Sequence, residues 1–551
     1  MNWKYLKKLL VGSIVFALFS CNSDFLNPDN PGGITDEDVW QDENLIQMYV
    51  NSLYNTRSGY DYLNTLDNIT DEARNNYPQY APNLILAGQW DQISNPMDIW
   101  AGAYEGIRKA NEFFARIDDA PVDEQAKQTM KGEVRFLRAF LYFDLVKRYG
   151  GVPLIEHAQS LEEDLEVSRN TLDECFTFID SELNLAAEEL PSSAPRGRAS
   201  NNAAMALKGR VALYYASPFY NADNDTERWK YAADVSRSII SDGPYSLNPD
   251  LNRLWLEKGN NPEAVFEVQY RLPEKQHSWD SGLKPLALAN DNAGQLSPLQ
   301  ELVDAFPMKN GKLITEDGSG YDEQLPYEGR DDRFYAFIAY NGSTLRGTNS
   351  GPPIKEITLQ IYKGGRDYDA DPTAKVYNTI TGYYTRKAVN PENTEYIGAR
   401  GSDQPWIEIR YAEVLLNYAE AQNEYLSTPD ASVYDAVNAI RARAGITTAL
   451  TPGSLDKEAM RSLIRNERYV EFCFEQKRYW DIRRWDLAGE MLNGKRYTGV
   501  FITKETDGSF SYEYIPVDAR PNVFTPAMRF MPIPQTEITK NRNLEQNAGW
   551  D

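Results

Sequence analysis

The sequence predicts a mainly α protein, a scaffold of paired amphipathic helices interrupted by one long loop-rich segment. Three observations predict it: apolar residues at helical spacing over most of the chain, alanine-rich helix faces, and a central stretch, about 244–405, where that period is lost.

The helical signal is clearest at GEVRFLRAFLYFDLVKRY (Gly132 to Tyr149). There Val134, Leu137, Leu141 and Leu145 step by three and four, with Arg135, Arg138 and Lys147 between them, and Gly150-Gly151 and Pro153 supply the stop. The same period predicts helices at 100–117, 170–190, 201–216, 227–240, 408–424, 433–444 and 455–474. RASNNAAMALKGRVALYYA (Arg198 to Ala216) and RYAEVLLNYAEAQNEY (Arg410 to Tyr425) place small residues where helix backbones can approach closely. Helix pairs of roughly 34 to 40 residues with alanine at the crossing resemble tetratricopeptide repeats. The interrupting segment is rich in Gly, Pro, Asn and Asp, with scattered Trp255, Trp279, Tyr321, Tyr327, Tyr335 and Tyr340, and reads as loops with short strands.

At the N-terminus, Lys4, Lys7 and Lys8 precede an apolar run from Leu9 to Phe19 that ends at Leu18-Phe19-Ser20-Cys21. The run is about half the ~20 residues that a transmembrane helix needs, so 1–20 reads as a cleaved signal peptide. The ending resembles the lipobox of bacterial lipoproteins, with Cys21 as the lipidated residue, although the bulky Phe19 stands where a smaller residue is usual. An ordinary signal peptide with an incidental cysteine is the bland alternative. The remainder, 21–551, has no low-complexity linker and reads as one domain, with the scaffold at about 36–243 and 406–551 and the insertion at about 244–405.

A net charge of −24 argues against nucleic acid as a partner, since affinity for phosphate backbones comes from basic surface. Apart from Cys21 only Cys175 and Cys473 occur, so no disulfide framework exists, and buried free thiols within helices are favoured over a single bridge. With only His157 and His277, a histidine-based zinc site is excluded. No phosphate-binding glycine motif is present. The acidic alternations at Asn221-Asp223-Asp225-Glu227 and Asp367-Asp369-Asp371 lack the glycine and glutamate of a calcium loop, and helix capping accounts for the first. No cofactor or metal is expected.

GEVRFLRAFLYFDLVKRYGGVPLI (Gly132 to Ile155), RASNNAAMALKGRVALYYA, WIEIRYAEVLLNYAEAQNE followed by AVNAIRARAGI (Ala436 to Ile446), RNERYVEFCFEQKRYWDIRRW (Arg465 to Trp485) and MPIPQTEITKNRNLEQNAGW at the end are, in this order and spacing, similar to the SusD/RagB family of outer-membrane nutrient-binding lipoproteins. The resemblance spans nearly the whole mature chain. It implies a SusD-like tetratricopeptide scaffold, anchored by lipid to the outer leaflet and facing the cell exterior. It also implies non-catalytic capture of glycan, less often peptide, and delivery to a partner TonB-dependent transporter. The family's ligand residues lie in variable loops, so only regions carry over: the loops before the Trp100 helix, and the insertion.

Sugar recognition needs flat apolar faces for the C–H side of the ring and fixed polar groups for its hydroxyl edge. TDEARNNYPQYAPNLILAGQW (Thr70 to Trp90) offers Asp71, Arg74, Tyr77, Tyr80 and Trp90, with Asn75 and Asn76 between them. KQHSWDSG offers Trp279, with little apolar sequence nearby to bury the indole, and Tyr321 and Arg386 complete the candidate set. Packing beneath the loops is the bland alternative for each aromatic. Trp100 reads as core, because Tyr104, Ile107 and Asn111 continue its helical face. Glu467, Glu471, Glu475 and Asp481 with Arg468, Arg478, Arg483 and Arg484 could pass for the paired carboxylates of a glycoside hydrolase. Their steps of four among arginines fit structural ion pairs better. A peptide-binding protein of the same architecture and an extracellular glycosidase are the alternative functions.

Overall fold

A computed structural model describes residues 34–56, 59–60, 66–77, 80–288, 294–348, 353–368, 378–394 and 401–550. The signal peptide 1–20 and Cys21 lie outside the described residues, as do Asp369 and Asp371.

Each predicted helix is present. In chain order the longer ones are α1 (Glu43–Tyr54), α2 (Trp100–Phe114), α3 (Glu124–Tyr149), α4 (Leu172–Glu189), α5 (Asn201–Ala216), α6 (Thr226–Asp242), α7 (Tyr411–Tyr425), α8 (Ala431–Arg443), α9 (Lys457–Glu471) and α10 (Arg478–Arg484). Capping sets several of their starts. Asp123 accepts from the N–H groups of Gln125 and Ala126, which carries α3 a full two turns upstream of the predicted Gly132. Thr171 and Glu174 form a capping box at α4, and Asp225 accepts from Glu227 N–H at α6, the capping role expected for that acidic run.

Helices α3 to α7 pack in succession, and α6 rests on α7 although the whole insertion separates them in sequence. Small residues permit this: Ala212 and Ala216 of α5, Ala232 and Ala233 of α6, and Ala412, Ala419 and Ala421 of α7 share one buried cluster. The fold is a tetratricopeptide-like helical stack with few, short strands.

Two predicted ends differ. Residues 406–410 form a strand, β2 (Trp406–Arg410), which pairs antiparallel with β1 (Ala264–Val268) and so fastens both ends of the insertion to each other. The alternation of Trp406, Ile407 and Ile409 with Glu408 was hidden by the adjoining helical period. Helix α9 stops at Glu471 rather than Phe474, because Phe474 and Gln476 adopt left-handed conformations, φ 62° and 59°, and fold the chain back. A further hairpin, β3 (Thr498–Lys504) with β4 (Phe510–Pro516), follows.

The insertion has its own core of Trp255, Trp279, Leu283, Phe306, Phe334, Phe337 and Tyr383, which continues into Val470 and Cys473 at the end of α9. Cys175 and Cys473 are buried free thiols.

Beneath that core lies an ion network. Arg333 pairs with Asp331, Glu467 and Glu471. Arg410 pairs with Glu263, Glu471 and Glu475, Arg441 with Glu467, Arg443 with Glu263 and Glu471, and Lys387 with Glu475. Five cations thus face five carboxylates, with no side chain more than 4% exposed. The Glu467, Glu471, Glu475 ladder is therefore structural, as its spacing among arginines suggests. Burial alone would raise the Glu471 pKa, but Arg443, Arg410, Arg333 and Lys387 outweigh it and hold the carboxyl well below its usual range. Likewise Arg484 and Arg468 overcome burial at Glu420 and bring it to about 2.

Two expected outcomes follow. Glu471→Ala leaves buried cations unmatched and should lower stability by about 3–5 kcal/mol, read as a shifted urea midpoint. Carboxylates with depressed folded pKa values contribute stability that is complete above the unfolded value of about 4.3 and is lost as pH falls through the folded one. The urea midpoint should therefore fall as pH drops below about 4.3 and on through about 2, where Glu420 titrates.

Candidate functional site

The loop before α2 starts with a 3₁₀ turn (Leu66–Ile69) and then pairs Ala73 and Arg74 with Pro298 and Ser297 of the insertion. Its polar residues are tied down one after another. Asp67 accepts from Gln476 N–H at 2.8 Å, directly after the left-handed turn that ends α9. Asp71 holds the Arg478 guanidinium bidentately, at 2.9 and 2.7 Å, while Tyr469 donates to the Asp71 carbonyl at 2.6 Å. Arg74 grips Asp518 at 2.6 and 3.1 Å, and its ring neighbour is Tyr497. Asn76 donates to the Asn378 carbonyl at 3.1 Å. Asp71 is 5% and Arg74 2% exposed, so both belong to the frame of the loop rather than to its surface.

What the loop presents outward is Tyr77 and Tyr80. Both are half-buried, with ring centroids 5.3 Å apart and planes tilted by 49°. Asn75 accepts from Tyr77 N–H at 2.8 Å, Asn83 donates to the Tyr77 carbonyl at 2.7 Å, and the short helix Ala81–Leu86, with Pro82 in its first turn, begins directly after Tyr80.

The two predicted tryptophans are both buried. Trp90 is 7% exposed and packs on Trp550 at 4.7 Å, beneath the chain terminus. Trp279 is 2% exposed, which corrects the expectation of an open indole: its Nε1–H donates to the Lys387 carbonyl at 3.1 Å, and Tyr60 lies 4.9 Å away. The burying groups come from distant sequence, so its polar neighbours were a poor guide. Adjacent Asp280 collects Asn390 N–H, Asn393, Ser402 and Gln404 at 2.6 to 3.1 Å. His277, stacked on Tyr60 at 4.0 Å, is pushed down to about 4 by burial, against the pull of Asp280, and is neutral at pH 7.

Tyr321 is half-buried. Its hydroxyl meets that of Tyr514, which is 45% exposed, and Tyr512 lies 5.9 Å from the buried Tyr327. Tyr512 and Tyr514 escaped the sequence reading, although the alternation Phe510-Ser511-Tyr512-Glu513-Tyr514 is a strand signal with aromatics on one face. Arg386 is half-buried and lines a cleft of about 610 Å³ with Tyr335, Asp250, Asn252, Asp332 and Arg443. A cavity of about 650 Å³ between α2, α3 and α5 is lined by Asp98, Asp144, Lys147, Lys477, Trp406 and Trp480. Its charges are matched internally, Lys147 with Asp144 at 2.6 Å and Lys477 with Glu413 at 3.2 Å.

Among the described residues no cluster of three or more His, Cys, Asp or Glu side chains could hold a metal, and no helix is long and apolar enough to cross a membrane.

A stack of helix pairs carrying a loop-rich insertion defines a repeat-built scaffold. The model of the SusD family matches residues 262–550, more than half of the chain, and a model described as starch-binding associating with outer membrane matches residues 24–213. The chain belongs to the SusD family. It is 26% identical over 585 residues to a SusD-like protein of Bacteroides ovatus, covering 98% of this chain and 97% of that protein. Over 165 residues it is 29% identical to the starch-binding protein SusD of Bacteroides thetaiotaomicron, covering 29% and 28% of the two. A crystal structure of a SusD-like protein from Bacteroides fragilis superposes with TM-score 0.77 at 30% identity, over 94% of this chain and 99% of that one.

One buried group of the loop carries a prediction. Glu72 is 0% exposed and neither carboxyl oxygen accepts a hydrogen bond. Burial foremost, then the negative charge of Asp67 and Asp71, raises its pKa well above the usual value, with Arg478 opposing. Folding therefore takes up a proton here. The stability it allows is complete below the unfolded pKa of about 4.3 and declines above it by about 1.4 kcal/mol per pH unit until the folded pKa is reached. Glu72→Gln should raise the melting temperature at pH 7 and leave it unchanged at pH 4.

Proposed function

We propose that this chain is a cell-surface glycan-binding lipoprotein that captures oligo- or polysaccharide and passes it to a partner TonB-dependent outer-membrane transporter. The observation that carries the binding half is the Tyr77–Tyr80 pair: two flat rings, half-buried, on a loop whose Asp71 and Arg74 are engaged in the fold. A sugar ring covers such faces with its C–H side while its hydroxyls stay at the wet rim, and the phenol hydroxyls meet them there. The same reading places Tyr321 and Tyr514 as a further contact along a long ligand. The starch-binding relative makes an α-glucan the first ligand to try.

The delivery half rests on the family and on Cys21. A lipid anchor at Cys21 would hold the protein in the outer membrane, facing outward, beside the transporter. Confinement raises effective concentration, so the pair stays together even when their direct contact opens. Release to a transporter calls for modest affinity, which a few stacked rings provide. A non-catalytic role fits the carboxylates of the hydrolase-like run, because Glu467, Glu471, Glu475 and Asp481 are all occupied by arginine or lysine partners.

Calorimetry against a panel of neutral glucans tests the binding half. The double variant Tyr77→Ala, Tyr80→Ala should bind at least tenfold more weakly, about 1.4 kcal/mol, with little change in melting temperature. Unchanged affinity, preference for peptides over every glycan, or release of new reducing ends on prolonged incubation would overturn the reading.

A further inference from the structure

The cleft at Arg386 shares no residue with the Tyr77–Tyr80 pair. Buried arginines here are matched with carboxylates: Arg138 with Glu182, Arg210 with Glu413, Arg410 with Glu475, Arg484 with Glu420. Others are held by backbone carbonyls. Arg330 donates to Pro326, Val303 and Phe306, and Arg169 to Gly151, Tyr149 and Glu545. Arg386 has neither arrangement. Among the described residues no carboxylate lies within ion-pair distance of it, and its one hydrogen bond is a long donation to the Thr344 carbonyl at 3.4 Å. Burial lowers its pKa from the ordinary guanidinium value, with nearby Tyr340 opposing, so the site holds a charge that lacks a counterion.

The other charges lining the cleft are directed elsewhere. Asp250 accepts from the backbone N–H groups of Asn252 and Arg253 at 3.0 and 3.2 Å, Asp332 pairs with Lys309 at 3.2 Å, and Arg443 points to Glu263 and Glu471. Tyr335 walls one side, with its hydroxyl anchored on the Tyr327 carbonyl at 2.8 Å. An aromatic wall, an arginine fork without a partner and exposed Asp250 and Asn252 at the rim make a compact polar receptor. A planar carboxylate matches the fork with two parallel hydrogen bonds of about 2.7–2.9 Å. The remaining carboxylates of Asp250 and Asp332 can take hydroxyl hydrogens but repel a second anion, which favours a single acid group among neutral sugars over a polyanion.

We propose that this cleft is a separate subsite in which Arg386 takes the carboxylate of a uronic acid residue, with Tyr335 beside the sugar ring. The ligand class becomes a glycan that carries isolated acid groups. The inference rests on the glycan-binding reading and refines it.

Calorimetry and ligand-observed NMR on the intact chain test it, with glucuronate and galacturonate, their methyl esters, glucose, triglycine and inorganic sulfate as probes. Esterification removes the charge and keeps the shape. At least one uronate should bind tenfold or more tightly than its ester and than glucose. Arg386→Gln should abolish that difference at an unchanged melting temperature, Arg386→Lys should keep part of it, and Tyr77→Ala with Tyr80→Ala should leave it intact. Equal binding of acid and ester, an unaffected Arg386→Gln variant, no uronate binding, or triglycine or sulfate bound as well as uronate would each overturn the subsite. If neutral glucans still bind through Tyr77 and Tyr80, that failure falls on Arg386 alone. If no glycan binds at all, the parent reading falls with it.

Discussion

The buried exchange of five cations with five carboxylates is the constraint on which the rest of the structure depends. Its members come from the start of β1, from the insertion, from β2, from α8 and from α9 with the turn after it. A charge in that interior costs several kcal/mol unless matched, so an arrangement in which one segment is displaced leaves its partners unmatched. The network therefore selects one way of laying the insertion on the helical stack. Alanine packing alone would not select it, because small apolar faces tolerate sliding.

The same constraint reaches the ligand face through the left-handed turn at Phe474 and Gln476. That turn brings Glu475 back to Arg410 and Lys387, and in the next step sets Gln476 N–H on Asp67. Arg478 then clamps Asp71. The placement of Asp67 and Asp71, upstream of Tyr77 and Tyr80, is thus tied to the core. Polar residues that look like ligand groups in the sequence are consumed in this transmission. Asp71 and Arg74 carry full charges next to buried backbone and had to be paired, whereas a tyrosine can sit half in and half out, with its ring packed and its hydroxyl wet.

Arg386 shows the reverse case. It lies next to Lys387, which is anchored on Glu475, and among the described residues it has no carboxylate within ion-pair distance.

The sequence by itself determined the helical stack, its ends to within a turn at most sites, and the structural nature of the Glu467 to Glu475 ladder. These are local or periodic properties: apolar stripes, caps and charges at steps of four are set by residues near one another in the chain. It also marked the loop and the insertion as the places to look. Only the tertiary structure decided which marked residues face outward. Trp90 is covered by Trp550, Trp279 by Tyr60 and the Lys387 backbone, and Arg74 is taken by Asp518, all partners far off in sequence. Tyr77, Tyr80, Tyr321 and Arg386 stay half-buried. Exposure is a property of long-range packing, and residues that look equivalent in a linear reading are separated only when distant segments come to cover some and leave others.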